Sequence, residues 1–371
     1  MEGIFMMEFT YHMPTKVIFG KGAARNAAAI FKETGSKAII VTGRHSSKIN
    51  GSLADVVSAL GEAGVAHVLF DEVEENPGVK TVQKAAEMAR EASADFVIGI
   101  GGGSPMDFAK GLAVLIENPE CTYLDLIEGP PLGAAPVIAV ATTSGTGSEV
   151  THYAIFTDYE EDTKKNYVHR IFPQYALCDP SYTQFLSSEV TVNTAVDALS
   201  HLVEGYMATA ANPISDMHAR NGFEIFEKCK KALLEGEFSY EDRENLMLCS
   251  TIAGMVISQA GTSLPHGMGY PLTYFKGIAH GRANGLVMRE YLEFCSDKAK
   301  LRGMLKLLGM SSLAELGEFL DKLLGIEKSV SAEDIARYSS DMIKNVAKLR
   351  NHPCPVREED IAGIYAKSLL R

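Results

Sequence analysis

Four residues of this 371-residue chain are of the types and spacings that hold a metal ion: Asp197, His201, His266 and His280. Asp197 and His201 stand four apart in AVDALSHLVEG, a stretch without proline and without glycine until Gly205. If that stretch is helical, both side chains leave one face about one turn apart and can share an ion. His266 (SLPHGMGYP) and His280 (GIAHGRAN) are separated by Gly267, Gly269, Pro271 and Gly277. Those breakers predict a turn from which the two histidines return to close the shell. One carboxylate with three imidazoles is a nitrogen and oxygen donor set without thiolate, and it suits Fe2+ or Zn2+ better than Mg2+ or Ca2+.

Taken singly, each residue also reads as a helix-surface acid or a packed imidazole in a chain with ten histidines. The elements around them must therefore carry the argument. A length of 371 residues predicts two domains with ample core. The net charge of −12, without a Lys/Arg-rich run, argues against nucleic acid or an anionic membrane as partner. MEGIFMMEF carries acids where a secretory signal needs bases, and no apolar run reaches the length of a membrane span. Six scattered cysteines without a CxxC predict reduced thiols and a cytoplasmic protein.

The first half alternates apolar runs with helical periodicity. Strands are expected at Lys37–Thr42, His67–Phe70, Asp95–Ile100 and Pro136–Ala141, with helices at Leu53–Ala63, Val79–Glu91 and Pro105–Ile116. That alternation predicts a parallel sheet covered on both faces. Beyond about Pro180 the periodicity is helical throughout. Helices are expected at Ser188–Met207, Ser215–Leu234, Tyr240–Ser258, Arg282–Phe294, Ser312–Leu324, Ala332–Leu349 and Glu358–Leu370. The expected domains are thus residues 1–180, α/β and dinucleotide-binding, and residues 181–371, all-helical and carrying the metal and substrate sites.

Two loops read as nucleotide signals. DFVIGI runs into Gly101, Gly102, Gly103, Ser104, Pro105, Met106 and Asp107. Glycines there admit a pyrophosphate to the backbone, and the following helix offers its N–H groups and positive end. Ser104 is expected at the N-cap with Pro105 at N1 and Asp107 at N3. The second signal, Thr142-Thr143-Ser144-Gly145-Thr146-Gly147-Ser148-Glu149, follows the strand PVIAVA, where open α/β sheets bind ligands.

With these motifs in place, the sequence resembles the iron-containing (group III) alcohol dehydrogenases. The resemblance runs from MPTKVIFGKGA through ENP (Glu75–Pro77), GGGSPMDFAK, TTSGTGSEVT and DALSHLVEGY to the last histidine segment. It implies a dehydroquinate synthase-like fold: an α/β nucleotide domain, an all-α domain and a catalytic ion in the cleft between them. It implies metal ligation by Asp197, His201, His266 and His280, with Fe2+ the expected ion and Zn2+ the substitute. Dinucleotide contacts are implied at Asn76, Gly101, Gly102, Gly103, Ser104, Asp107, Thr142, Thr143 and Thr146, and at Lys164 or Lys165. It further implies a homodimer. The ion acts as a Lewis acid on the substrate oxygen while hydride passes to or from nicotinamide. Some relatives carry a relay histidine four residues after the third ligand; Tyr270 stands there, as a relay or as pocket lining.

Substrates are expected to be small to medium neutral primary alcohols and aldehydes, because only Lys276 and Arg282 are cationic near the ligand histidines. NADP(H) is expected over NAD(H). Gly43 ends IIVTG where NAD-preferring relatives often carry aspartate, and Arg44, His45, Ser46, Ser47 and Lys48 supply charge and hydroxyls for a 2′-phosphate. Two alternatives share the fold: a glycerol or diol dehydrogenase, and a dehydroquinate synthase-like lyase.

Overall fold

The sequences KAIIVT, FVIGIG and VIAVA lack polar alternation, as strands covered on both faces must. They form the inner strands β2 (Lys37–Thr42), β4 (Phe96–Gly101) and β5 (Val137–Ala141) of the computed structural model, which describes residues 8–75, 77–158 and 163–370. With β1 (Lys16–Phe19), β3 (Ala66–Phe70) and β8 (Tyr175–Cys178) they make a six-stranded, wholly parallel sheet of order β1-β8-β5-β4-β2-β3. A short antiparallel hairpin, β6 (Ile155–Asp158) and β7 (Thr163–Asn166), stands apart. β1 and β8 have four residues each, too few for a periodicity to declare them. Strand order reverses between β2 and β4, which opens a crevice at their carboxyl ends.

From Ser188 onward every regular element among the described residues is an α-helix, and one apolar core joins them. The helix Ser188–Met207 matches its periodicity to the residue, started by Ser187, whose hydroxyl accepts from Val190 N–H at 3.2 Å. Two expectations need correction. The periodicity of 332–349 is broken into Ala332–Met342 and Val346–Arg350, because Asn345 caps a new start through Lys348 N–H. And the segment after His266 is no turn: Leu264–Lys276 is a helix containing Pro271, and the chain reverses only at Gly277, φ 65°. Packing overrides the weak propensity of Gly267, Gly269 and Pro271. A Cβ at Gly269 would collide with the Asn284 side chain, so this helix and His280–Phe294 approach as only glycine allows.

All six cysteines are free. Among the described residues, no single helix is long and apolar enough to cross a membrane.

Candidate active site

Asp197 and His201 project from one face of the helix Ser188–Met207, one turn apart, as the spacing predicts. His266 lies in the first turn of the helix Leu264–Lys276, and His280 begins the helix His280–Phe294. Ligand atoms of Asp197, His201 and His266 lie within 4.8 Å of one another, and all three side chains are buried. His266 Nε2 is 3.7 Å and His280 Nε2 3.8 Å from Asp197 Oδ1. These spans are slightly wider than the edge of about 3.4 Å set by tetrahedral bonds of about 2.1 Å. Three of the four donors thus form one tight cluster, and His280 stands beside it on the Asp197 side. The Asn284 amide nitrogen lies 3.1 Å from Asp197 Oδ1 and 3.3 Å from each of His266 Nε2 and His280 Nε2. The donor set therefore fits a divalent ion on geometry and on chemistry.

Outer partners fix two of the rings. His201 Nδ1 faces the Gly145 carbonyl at 3.3 Å, which leaves Nε2 for an ion. His266 Nδ1 bonds Glu204 Oε1 in a very short contact. Glu204 is fully buried and also accepts from the N–H groups of Ser263 (2.6 Å) and His266 (3.4 Å). Burial pushes its carboxyl up to about 7, opposed chiefly by the nearby charge of Lys348. Burial, then the neighbouring His201 and His280, hold the His266 imidazole well below its usual range, so it stays neutral as a ligand must. Glu204 escaped the sequence reading, although its place three residues after His201 put it on the same helical face. Asn284, four after His280, was legible in the same way. Lys348 carried no signal.

Tyr270 stacks on His280, ring centroids 5.6 Å apart and planes at 11°. Burial raises its phenol pKa, so it remains a neutral hydroxyl. The apolar side chains of the same helix divide by face. Met268 and Leu272 join the core, while Phe275 points outward against Arg337 and Tyr338. Lys276 is paired with Asp334 at 2.7 Å, and Arg282 with Glu327 at 2.5 Å.

The nucleotide signals meet at the carboxyl edge of the sheet. Gly101 ends β4, and Gly102, not Ser104, takes the N-cap position of a helix that starts at Gly103. Ser104 thus lies inside the first turn, a correction to the expected cap. Side-chain capping is not needed there, and Gly102 lets the chain turn sooner. A Cβ on Gly102 would come within 3.0 Å of Thr143 Oγ1, and one on Gly103 within 2.9 Å of Thr146 Cγ2. The two loops are therefore in contact. Thr143 and Thr146 are partly exposed, whereas Thr142 is buried with its N–H on the Gly101 carbonyl.

Asp107 turns away from the glycine loop into a buried network. It accepts from Ser148 Oγ at 2.5 Å and Ile155 N–H at 3.0 Å, with Lys110 Nζ at 3.6 Å. Lys110, wholly buried, donates to Ser148 Oγ and the Tyr153 carbonyl, each at 2.7 Å. Burial raises the Asp107 pKa and lowers that of Lys110, and each charge opposes the shift of the other. The pair stitches the second loop beneath the first.

Gly43 follows β2, and a Cβ there would meet only the Val73 carbonyl at 3.5 Å, an ordinary contact. Ser46 is exposed. Ser47 is fully buried in the short helix Ser46–Ile49, so it cannot reach a ligand, which corrects its expected role. Lys48 is taken by Asp71 at 2.5 Å. Asn76 lies outside the described residues, as do the side chains of Lys164 and Lys165.

Residues 14–180 match the family model described as iron-containing alcohol dehydrogenase, and residues 191–369 the C-terminal model of the same family. The chain is 33% identical to the NADPH-dependent butanol dehydrogenase of Clostridium saccharobutylicum, over 88% of this chain and 84% of that one. It is 29% identical to the NADH-dependent butanol dehydrogenase A of Clostridium acetobutylicum, over 99% and 94%. An iron-containing alcohol dehydrogenase of Thermotoga maritima, 40% identical, superposes with a TM-score of 0.90 over 98% of this chain and all of its own.

Proposed function

The chain belongs to the iron-containing alcohol dehydrogenases, and from that premise we propose how its own residues carry out the family's NAD(P)-linked interconversion of alcohols and aldehydes. Asp197, His201, His266 and His280 hold the metal, with Fe2+ the ion and Zn2+ the substitute. When bound, the ion supplies Lewis acidity and the nicotinamide accepts or supplies hydride. The Gly145–His201 contact carries this reading: the loop that meets the glycine turn also orients a ligand histidine, so nucleotide and metal sites are adjacent. Glu204 holds His266 with Nε2 toward the ion. Tyr270 covers one face of His280 and limits water on that side; its phenol can bond a substrate oxygen. Gly102, Gly103 and the N–H groups of the first helical turn receive the pyrophosphate. Substrates on this reading are small to medium neutral primary alcohols and their aldehydes.

The test is metal analysis of anaerobically purified protein beside nicotinamide absorbance with butanal. Metal bound at one ion per chain and butanal reduced in proportion to it is the expected result. Full activity after complete chelation would refute the reading. A homodimer in the cytoplasm belongs to the same proposal, with light scattering to check the assembly.

Glu204→Gln keeps the shape and removes the charge behind His266. Metal affinity is expected to fall roughly 10–100-fold, as for other partners of ligand histidines. Equilibrium dialysis measures it. An unchanged Kd would show that Glu204 does not orient the ring.

For the cofactor, NADP(H) is preferred. Arg44 and Ser46 are exposed beside Gly43, and no carboxylate stands at that position. The two butanol dehydrogenases above differ in the cofactor that their names carry, so the relatives do not decide the preference. The Cβ of Gly43→Asp makes only an ordinary contact, and its carboxylate would repel the 2′-phosphate. It should move the NADPH/NADH ratio of kcat/KM at least tenfold toward NADH, about 1.4 kcal/mol. Equal use of both cofactors by the unmodified enzyme, with no change in the variant, would contradict this.

A further inference from the structure

One side chain outside the four ligands touches three of them. Asn284, one turn after His280 on the helix His280–Phe294, is wholly buried. Its amide nitrogen meets Asp197 Oδ1 at 3.1 Å and the Nε2 atoms of His266 and His280 at 3.3 Å each. These neighbours decide which end of the amide faces them. A carboxylate only accepts, and the neutral His266 ring spends its one N–H on Glu204, so its Nε2 offers a lone pair. The end turned toward them is therefore the NH2. At the other end Oδ1 is buried, meets no donor, and lies against Gly269, where a Cβ would come within 2.1 Å of it. An amide oxygen so placed has lost its hydration without compensation. Leucine has the same branched outline without that cost, so packing does not account for an amide here.

We propose that Asn284 is a positioning residue of the metal centre: its amide N–H donates to Asp197 Oδ1 and holds that carboxylate to a single-oxygen mode of ligation. The inference rests on the reading of Asp197, His201, His266 and His280 as metal ligands. The amide has two hydrogens for three acceptors, and its shortest contact is to the carboxylate, where the bond is charge-assisted. Each carboxylate oxygen has two lone pairs, so Oδ1 can accept this N–H and still serve as a ligand. A carboxylate without such a partner is free to turn both oxygens to an ion. A neutral donor also fixes Asp197 without changing the charge of the site. A cation in its place would repel a metal ion, and a second carboxylate would weaken the pull of that ion on a substrate oxygen. Gly269 completes the arrangement. Without a Cβ it admits the amide between the helices that carry His266 and His280. Three ligands are thus registered against one side chain.

The full chain and its Asn284→Leu variant are titrated with Co2+, which takes the same nitrogen and oxygen donors as Zn2+. Co2+ also reports its coordination by visible absorption, which is strong with four ligands and weak with more. Calorimetry gives the Kd, and the spectrum is read per bound ion. Asn284→Leu is expected to weaken binding roughly 10–100-fold, the range for partners of metal ligands. Its absorption should shift and lose intensity, because Asp197 is then free to offer both oxygens. Asn284→Ala carries the same expectation if the leucine variant does not fold. An unchanged Kd overturns the proposal. So does a weaker Kd with an unaltered spectrum, since the amide would then act through packing alone. The two layers separate cleanly. If the unmodified chain binds no Co2+, the metal reading falls and this one with it. If it binds one ion per chain and the variant binds as well, only the role of Asn284 falls.

Discussion

His266→Ala is expected to abolish turnover and to weaken metal binding by more than about 100-fold, beyond the loss typical of an outer partner. The imidazole is the ligand with the most connections. It approaches Asp197, stacks on His201 at 4.4 Å between ring centroids, and is anchored by Glu204. Removing it opens the metal shell and strips Glu204 of one bond, but Glu204 keeps the N–H groups of Ser263 and residue 266. The lost bond should cost about 1–3 kcal/mol of stability. The fold and the nucleotide turn lie outside the change, so the Kd for NADPH should move less than about threefold, well under the 1.4 kcal/mol of a tenfold change. Calorimetry with metal and, separately, with nucleotide reads both arms. An active His266→Ala enzyme would remove the basis for the four-ligand centre.

Gly281→Ala is expected to have the largest effect on the architecture of the site. A Cβ there would lie 1.8 Å from the Asn193 carbonyl oxygen and 2.9 Å from Asp197 Cβ. The first neighbour is helix backbone and cannot rotate aside. The helices Ser188–Met207 and His280–Phe294 must separate, which carries His280 away from Asp197. Destabilisation should reach about 3 kcal/mol, the upper part of the range for overpacking. Metal affinity should fall with it. Gly303→Ala is the control: its Cβ meets nothing nearer than Tyr206 Oη at 4.0 Å, within the helix Lys298–Leu307. That change should be neutral or stabilise by up to about 1 kcal/mol. Chemical denaturation of both variants decides the matter. Equal midpoints would show that the helices are not held at glycine distance.

Local rules made much of this molecule legible in its sequence. Continuous apolar runs identified β2, β4 and β5, since strands covered on both faces have no polar alternation. Helical spacing put Asp197 and His201 on one face. The glycines after β4 declared themselves because a close approach of backbone needs small residues, and the threonines after β5 by their hydroxyls at the carboxyl edge of the sheet. Tertiary structure decided what those rules could not. It made 264–276 a helix despite Pro271, because packing outweighs a weak local preference. It buried Ser47 and turned Asp107 toward Lys110, since the direction of a polar side chain depends on distant partners. It brought Glu204 behind His266 and Lys348 beside Tyr270. Identity and spacing report only what lies within a turn or a strand, whereas a metal site assembled from three helices is set by contacts between residues far apart in the chain.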